Sequence, residues 1–179
     1  LKALIMAPKL LSPDLLPEVV VRSAIDSDVS FIVDAENSPE NMNSIGTWSP
    51  ETHRANLSDP SFAYFVTVDE NDAPIGFAIL TDLDSSQGEI QLQRIAINAQ
   101  GHGLGRAFLN HVINEAFATY KAKRLWLAVF TDSEKAIRAY RRLGMIEEGV
   151  EKDAALHNGV SHDVTTMAIL DDEWRDLHE

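Results

Sequence analysis

The chain contains no cysteine among its 179 residues. This absence excludes disulfides, thiolate zinc sites and cysteine nucleophiles, and it fits a reducing compartment. Long apolar runs are missing too, since no stretch approaches the ~18 residues that a membrane-spanning helix needs. The first residues hold scattered prolines and two lysines, which is a poor match to a secretory signal. We therefore expect a soluble, cytoplasmic protein with no membrane partner.

Basic residues are scarce, because 15 lysines and arginines face 28 acids and give a formal net charge of −13. This balance argues against a nucleic-acid partner, since affinity for phosphate backbones comes mostly from lysine and arginine. The exception is residues 101–142, which hold 8 basic residues and 3 acids. An anionic ligand there and a cationic or amine substrate elsewhere would suit this asymmetry. Taken alone, the acids are better explained as a solubilising surface.

Length and periodicity together predict the fold class. The chain is long enough to bury a core without disulfide or metal staples, and no repeat or linker divides it. Its patterns predict the order β, α, α, three strands, a glycine loop with a long helix, a strand, a helix and two final strands. This order predicts one α/β domain with a mixed, mostly antiparallel central sheet flanked by helices. We place that domain at residues 18–170, between an N-terminal extension at 1–17 and a polar C-terminal tail at 171–179.

The glycine loop QGHGLG lies between a strand that ends at Ile97 and an amphipathic helix. At such a join the first helical N–H groups lack intrahelical partners, and glycines let an anion come close to them. A Walker A loop would need Gly-Lys-Ser/Thr, whereas Arg106 and Ala107 follow here. The dinucleotide fingerprint would need a third glycine or alanine where Arg106 or Phe108 stands. Both nucleotide-binding motifs therefore fail on spacing.

What remains is Gln100-x-x-Gly103-x-Gly105, directly after a strand and at the start of a helix. This spacing resembles the Q/R-x-x-G-x-G/A signature of the GCN5-related N-acetyltransferases (GNAT). The resemblance extends from about residue 19 to residue 170, because the order of elements also matches. The layout of SIGTWSPETH, IGFAIL and the glycine loop looks most like the RimJ/RimL branch.

A second segment strengthens the resemblance. Ala136, Tyr140 and the pair Gly144-Met145 stand at the positions of the family's A-x-x-x-Y-x-x-x-G-F pattern. Two positions depart from it. The family often has asparagine three residues before that alanine, where it contacts the pantetheine arm of the cofactor, and Ser133 stands there instead. Methionine also replaces the phenylalanine, which is a tolerable apolar change.

The resemblance implies an acetyl-coenzyme A-dependent N-acetyltransferase that uses no metal. Direct transfer within a ternary complex would acetylate a primary amine, which could be a protein N-terminus, a polyamine or a small-molecule amine. Assembly of two chains into a homodimer is left open. Strand backbone, loop N–H groups and the second segment would hold the cofactor. The implied cofactor-binding residues are Ile95, Ala96, Ile97, Gln100, Gly101, His102, Gly103, Leu104, Gly105, Arg106, Ser133, Ala136 and Tyr140.

Acetyl transfer to an amine needs a base for the amine and an acid for the departing thiolate. Tyr140 matches the family's frequent general acid, although a core tyrosine on an amphipathic helix would pack in the same way. Ser133 is the reserve donor. Glu89 is the leading base, although an exposed glutamate at a strand end fits equally well. Strand alternation places Glu89, Gln91, Gln93 and Ile95 on one face, and Ile90, Leu92, Arg94 and Ala96 on the other.

Two rival functions remain open at this point. A non-catalytic acyl-coenzyme A binding module could use the same fold, and Ser133 in place of asparagine gives it some support. A nucleotide-dependent enzyme could use the glycine loop alone. His157 and His162 flank a predicted turn, but two histidines are too few for a metal site, so we assign no metal.

Overall fold

The computed structural model describes residues 16–39, 41, 46–98, 101 and 103–178. Gln100 and His102 of the glycine loop lie outside these described residues, as do residues 1–15 of the N-terminal extension.

Seven strands and five α-helices make up the described part of the chain. The strands are β1 (Val20–Ser23), β2 (Ala63–Val68), β3 (Pro74–Thr81), β4 (Glu89–Ile97), β5 (Arg124–Phe130), β6 (Ile146–His157) and β7 (Val160–Leu170). The helices are α1 (Val29–Glu36), α2 (Pro50–Leu57), α3 (Leu104–Ala118), α4 (Glu134–Arg142) and α5 (Asp171–Asp176), and a 3₁₀ turn (Asp26–Asp28) precedes α1. Within these residues we find no helix that is both long and apolar enough to cross a membrane.

One mixed sheet holds all seven strands, in the order β1-β2-β3-β4-β5-β7-β6. Only β4 and β5 run parallel among the described pairs, and the other neighbours are antiparallel. A parallel pair needs a crossover connection, and α3 supplies it. The predicted α/β domain with a mostly antiparallel sheet is therefore confirmed.

The helices cover both faces of the sheet. On one face, α3, α4 and α5 bury the larger apolar core, which includes Phe108, Ile137 and Trp174. On the other face, α1 packs Ile32 and Ala35 against the strands, with side chains from α2 beside them. The apolar faces of α1 and α3 need such a partner, and between the two layers β2 and β3 are buried along almost their whole length.

Local signals in the sequence account for several element ends. Ser49 caps α2 by accepting the N–H of Thr52 at 3.2 Å, and Pro50 occupies the first turn, a position that suits proline. In the β6–β7 hairpin, both Asn158 and Gly159 have positive φ angles, of 50° and 76°. A two-residue turn of this kind matches the right-handed twist of the strands, and it confirms the predicted hairpin.

The end of the chain is more ordered than its composition predicts. Residues Asp171–Asp176 form α5, where the sequence predicted only a polar tail. Trp174 is 4% exposed, and its ring lies 6.2 Å from that of Phe117 on α3. A single apolar residue in a charged segment produces no periodic pattern from which this helix could be predicted.

A β-bulge interrupts β4 near its middle. Ile79 of β3 pairs with Arg94, but the next residue, Leu80, pairs with Leu92. Gln93 is therefore an extra residue without a Cα partner on β3. A bulge of this kind bends its strand and re-aims the side chains that follow.

The bulge overturns the predicted alternation of β4. Leu92 packs into the core beneath α3, and after the bulge Ile95 packs against that same core. Ala96 instead belongs to the core beneath α1, and Arg94 forms an ion pair with Glu36 at the end of α1. The prediction that Leu92, Arg94 and Ala96 share one face is therefore wrong. Side chains alternate between the two faces of a strand, so one inserted residue moves every later side chain to the opposite face.

Candidate active site

A cleft opens where β4 parts from β5. Parallel pairing between the two strands runs from Glu89 opposite Arg124 to Gln91 opposite Trp126 and stops there. Beyond this point a cavity of about 600 Å³ separates the strands. The facing backbone edges have no strand partner along the cavity, so they can bind amide groups of a ligand.

The cavity wall comes from both faces of the sheet. Leu109 of α3 and Tyr140 of α4 lie on one side, and Asn41, which follows α1, lies on the other. The strands and the start of α4 complete the wall through Leu92–Ile97, Leu127–Val129 and Asp132–Ala136, with Gly105 and Ala139. The cleft thus passes through the sheet, so a donor and an acceptor could approach each other from opposite faces.

The start of α3 borders the cleft. Gly103 occupies the N-cap position with φ 76°, where no side chain caps the helix. Such a positive φ favours glycine, and the uncapped N–H groups of the first turn suit an anion. Two residues on, a Cβ at Gly105 would lie 3.3 Å from the side chain of Ile97, so glycine lets α3 pack closely on β4.

Seven of the predicted cofactor-binding residues line this one cavity. They are Ile95, Ala96, Ile97, Gly105, Ser133, Ala136 and Tyr140. Gly101, Gly103, Leu104 and Arg106 lie at the start of α3 outside the cavity wall, and Gln100 and His102 lie outside the described residues. The structure therefore brings together the strand end and the α4 segment that the sequence placed apart.

Tyr140 both packs against the core and lines the cavity. Its half-buried ring packs against the larger core, and the residue also lines the cavity. Burial raises the pKa of Tyr140 to about 12. The phenol therefore keeps its proton at neutral pH and is available as a donor inside the cleft.

Ser133 presents an unsatisfied polar atom to the cleft. It occupies the N-cap position of α4, yet its side chain caps no N–H group there. Its Oγ atom is buried and has no hydrogen-bond partner among the described residues. A buried hydroxyl without a partner costs about 1–3 kcal/mol, so a ligand amide at this position would relieve that cost.

The structure does not bring Glu89 to the other two candidates for catalysis. Its exposed side chain starts β4, where the carboxylate lies 3.5 Å from Nη1 of Arg124. The cavity wall begins only at Leu92 on this strand. Among the described residues, the carboxylates that belong to the wall are those of Asp132 and Glu134, which are both exposed at the mouth.

A buried polar cluster, absent from the predicted site residues, lies on the α1 side of β4. We call it the Glu36 cluster, and it consists of Glu36, Trp48, His53, Tyr64 and Arg94. Glu36, His53 and Arg94 are only 2%, 0% and 6% exposed. A glutamate and a histidine on apolar helix faces are the sequence signal that could have found it, since such residues are rarely buried unless paired.

Hydrogen bonds join the members of the Glu36 cluster. Oε2 of Glu36 accepts the backbone N–H of Trp48 at 3.0 Å and lies 3.1 Å from Nε2 of His53. Nδ1 of His53 lies 3.1 Å from the Tyr64 hydroxyl. Because a carboxylate only accepts, a neutral His53 carries its proton on Nε2 and accepts from Tyr64. Burial raises the pKa of Tyr64 to about 12, so this phenol can donate.

The two histidines of the β6–β7 hairpin contact an aromatic ring and do not form a metal centre with other described residues. His162 stacks on Phe130 with ring centroids 4.6 Å apart, and His157 lies 5.8 Å from the same ring. Across the part of the chain that the structure describes, no three histidine, aspartate or glutamate side chains form a group that could hold a metal ion.

Comparison with known proteins gives consistent matches. The sequence pattern of the Acetyltransferase (GNAT) family matches residues 30–145. The chain is 24% identical over 173 residues to the spermidine N(1)-acetyltransferase of Vibrio cholerae, covering 90% of this chain and 98% of that protein. It is 36% identical over 77 residues to the spermine/spermidine N(1)-acetyltransferase of Bacillus subtilis, covering 39% of this chain and 51% of that protein. The crystal structure of the Vibrio cholerae spermidine N-acetyltransferase with CoA and spermine gives a TM-score of 0.77 at 24% identity, covering 88% of this chain and 98% of that one.

Proposed function

The chain belongs to the acetyltransferase (GNAT) family, and on that premise we propose that it acetylates a polyamine in the cleft between β4 and β5. Its donor is acetyl-coenzyme A, and its reaction is N-acetylation of a primary amine. The observation that carries the assignment of the site is the cleft itself, which joins the end of β4, the start of α3 and the start of α4.

The residues of the cleft fit the donor. The buried Oγ of Ser133 lacks a partner among the described residues and would bond an amide of the pantetheine arm. The free backbone edges of Ile95, Ala96 and Ile97 would pair with the same arm. The uncapped first turn of α3, with Arg106 beside it, would face the phosphates.

Each residue of the proposed mechanism has a physical task. When bound, acetyl-coenzyme A supplies an acetyl group activated as a thioester. The two strand edges would align the reacting groups, which can account for a large share of catalysis. Tyr140 holds its proton at Oη and would deliver it to the departing sulfur. Glu89 remains the predicted base, and its distance from the cleft wall requires an intervening water.

Charge at the mouth of the cleft supports a polycationic acceptor. Two acids, Asp132 and Glu134, are exposed there beside one base, Lys135, and the chain as a whole carries a formal net charge of −13. Negative potential at a cleft raises the local concentration of cations and speeds their association. The similar proteins of Vibrio cholerae and Bacillus subtilis are named for spermidine and spermine, which supports the same class of acceptor here.

An acceptor screen tests this proposal. The purified protein is incubated with acetyl-coenzyme A and one amine at a time, and free thiol release is followed. Spermidine and spermine should give the highest kcat/KM, and this advantage should shrink as salt rises because salt screens exposed charges. Propylamine is the matched control, since it offers the same primary amine on a three-carbon chain without further charges.

Two outcomes would count against the proposal. A peptide N-terminus preferred over every polyamine would replace the acceptor while leaving the reaction in place. Coenzyme A binding without thiol release from any amine would favour the non-catalytic binding module instead.

A further inference from the structure

The Glu36 cluster has no part in the proposed mechanism, although it lies directly behind the cleft. Its arginine, Arg94, is buried on β4 and at the same time belongs to the cavity wall. Taking a charged group out of water is costly, and its contacts must offset that cost. The contacts of Arg94 indicate which part of the structure it stabilises.

Two side chains contact the Arg94 guanidinium, and a glycine leaves room for it. Its Nε lies 3.3 Å from Oε1 of Glu36, as an ion pair without the alignment of a hydrogen bond. Its Cζ lies over the Trp48 ring, 4.8 Å from the centroid. On another side, a Cβ at Gly46 would come within 3.3 Å of Nη2, so glycine leaves room for the guanidinium.

The remaining contact reaches the bulge. Nη1 of Arg94 donates to the backbone carbonyl of Gln93 at 2.9 Å. Gln93 is the residue without a partner on β3, and it comes two residues after Gln91, where pairing with β5 stops. A backbone carbonyl that leaves a ladder needs another partner, and here a fixed charged donor supplies it.

We infer that Arg94 is a positioning residue, which holds the Gln93 bulge and thereby sets the backbone of residues 92–95 against the bound acetyl donor. The inference rests on the proposed function of the cleft. Glu36 fixes the guanidinium, and His53 and the N–H of Trp48 fix Glu36. The chain of contacts thus runs from α2 through the sheet to the wall of the cleft.

Lysine at position 94 separates this role from simple stability. Arg94→Lys keeps the charge beside Glu36 but has no planar fork that could also reach the Gln93 carbonyl while stacking on Trp48. We expect kcat to fall about tenfold or more, because small misplacement of reacting groups is costly. The Kd for coenzyme A should change less than kcat, since the start of α3 and Ser133 are untouched.

Two further variants serve as controls. Arg22→Met breaks another partly buried ion pair, in which Nη1 of Arg22 lies 2.7 Å from Asp28, away from β4. It should lower the unfolding temperature and leave kcat unchanged. The double variant Glu36→Gln/Arg94→Met removes both buried charges at similar volume, so it provides a folded protein without the anchor if Arg94→Lys does not fold.

Amide hydrogen exchange supplies a readout that needs no substrate. Residues 92–95 should lose protection in Arg94→Lys and in the double variant, and keep it in Arg22→Met. Unchanged exchange at these residues, or a folded Arg94→Lys protein with wild-type kcat, would overturn the inference. A wild type that releases no thiol with any amine would instead remove the proposed function, and the exchange data would still decide the role of Arg94.

Discussion

Tyr140 shows how burial prepares a side chain for acid chemistry. An exposed tyrosine ionises near pH 10, and the core beneath α4 raises the pKa of Tyr140 to about 12. A group with this pKa keeps its proton through the physiological range, so the phenol remains available as a donor. In the proposed mechanism it would donate that proton to the sulfur as the C–S bond of the thioester breaks.

We predict that Tyr140→Phe lowers kcat by about 100-fold, the low end of what a general acid contributes. The KM for acetyl-coenzyme A should change little, because the ring and its packing remain. In the wild type, ionisation of Tyr140 should cause no loss of rate below about pH 11. Rates measured from pH 6 to 10 check both statements.

Tyr120→Phe is the matched control for that measurement. Tyr120 is also half-buried against the larger core, and burial raises its pKa as well, but it does not belong to the cleft wall. Its loss of the hydroxyl should leave kcat unchanged. Equal rates for Tyr140→Phe and the wild type would remove Tyr140 from the mechanism.

Residue patterns alone locate part of the candidate site. Ser133 and Tyr140 follow from their spacing along one helix, which a sequence displays directly. Arg94 and Glu36 are 58 positions apart in the chain, and only the sheet places them in contact. Contacts of that kind depend on tertiary packing, which no local pattern encodes.

At the scale of elements, boundaries set by local chemistry are predictable and irregularities are not. The N-cap at Ser49 and the turn at Asn158 are each specified by a few neighbouring residues. The sequence EIQLQRIAI, by contrast, reads as an unbroken strand. Its bulge at Gln93 arises from the register of β3, so the side to which Arg94 points was predicted wrongly.

The turn before α1 offers a test of stability against pH. Asp28 accepts the N–H of Ile25 at 2.8 Å and two N–H groups of Arg22, at 2.7 and 3.1 Å. Burial alone would raise the pKa of Asp28, but these hydrogen bonds and the arginine charge outweigh it, so the pKa lies below its usual 3.8. The carboxylate form therefore stabilises the folded state.

We predict that Asp28→Asn lowers the free energy of unfolding by about 1–3 kcal/mol at pH 7, as expected for hydrogen bonds to a charged group. A carboxylate with a depressed pKa contributes above the pKa of the unfolded chain and loses its contribution as pH falls through the folded pKa. The gap between wild type and variant should therefore close below about pH 4.

Urea unfolding from pH 3 to 7 measures that gap, with Asp84→Asn as the control. Asp84 is exposed in the turn between β3 and β4, so its variant should follow the wild type at every pH. A gap between Asp28→Asn and the wild type that stays constant down to pH 3 would contradict the assigned role of the carboxylate.

Across the whole molecule, charge is divided along the chain in a way that suits two ligands of opposite sign. Residues 101–142 carry 8 basic residues and 3 acids, and they include α3 and α4, which border the cleft. The rest of the chain is strongly acidic. An anionic donor at the basic helices and a cationic acceptor attracted by the acidic remainder of the chain would suit this division, and Asp132 and Glu134 at the cleft mouth are two of the three acids within the basic segment.

This division, together with the cleft, leads to a prediction for the intact protein. A ligand that binds only the folded state stabilises it by about 2.7 kcal/mol at a concentration 100 times its Kd. For a domain of this size, that energy corresponds to a rise in Tm of about 5–10 °C. We expect coenzyme A and acetyl-coenzyme A to produce it, whereas ATP, which has the adenosine phosphates but no pantetheine arm, should produce much less.

Ser133→Ala tests whether the pantetheine arm of coenzyme A causes this rise in Tm. The variant removes the unpaired buried Oγ, so the free protein should be at least as stable as the wild type, while the shift with coenzyme A should shrink. The small shift with ATP should stay the same, because ATP cannot reach this hydroxyl through a pantetheine amide. Stabilisation by ATP or NAD without any by coenzyme A would instead indicate that the start of α3 binds a nucleotide. It would also contradict the proposal that the cleft between β4 and β5 binds acetyl-coenzyme A.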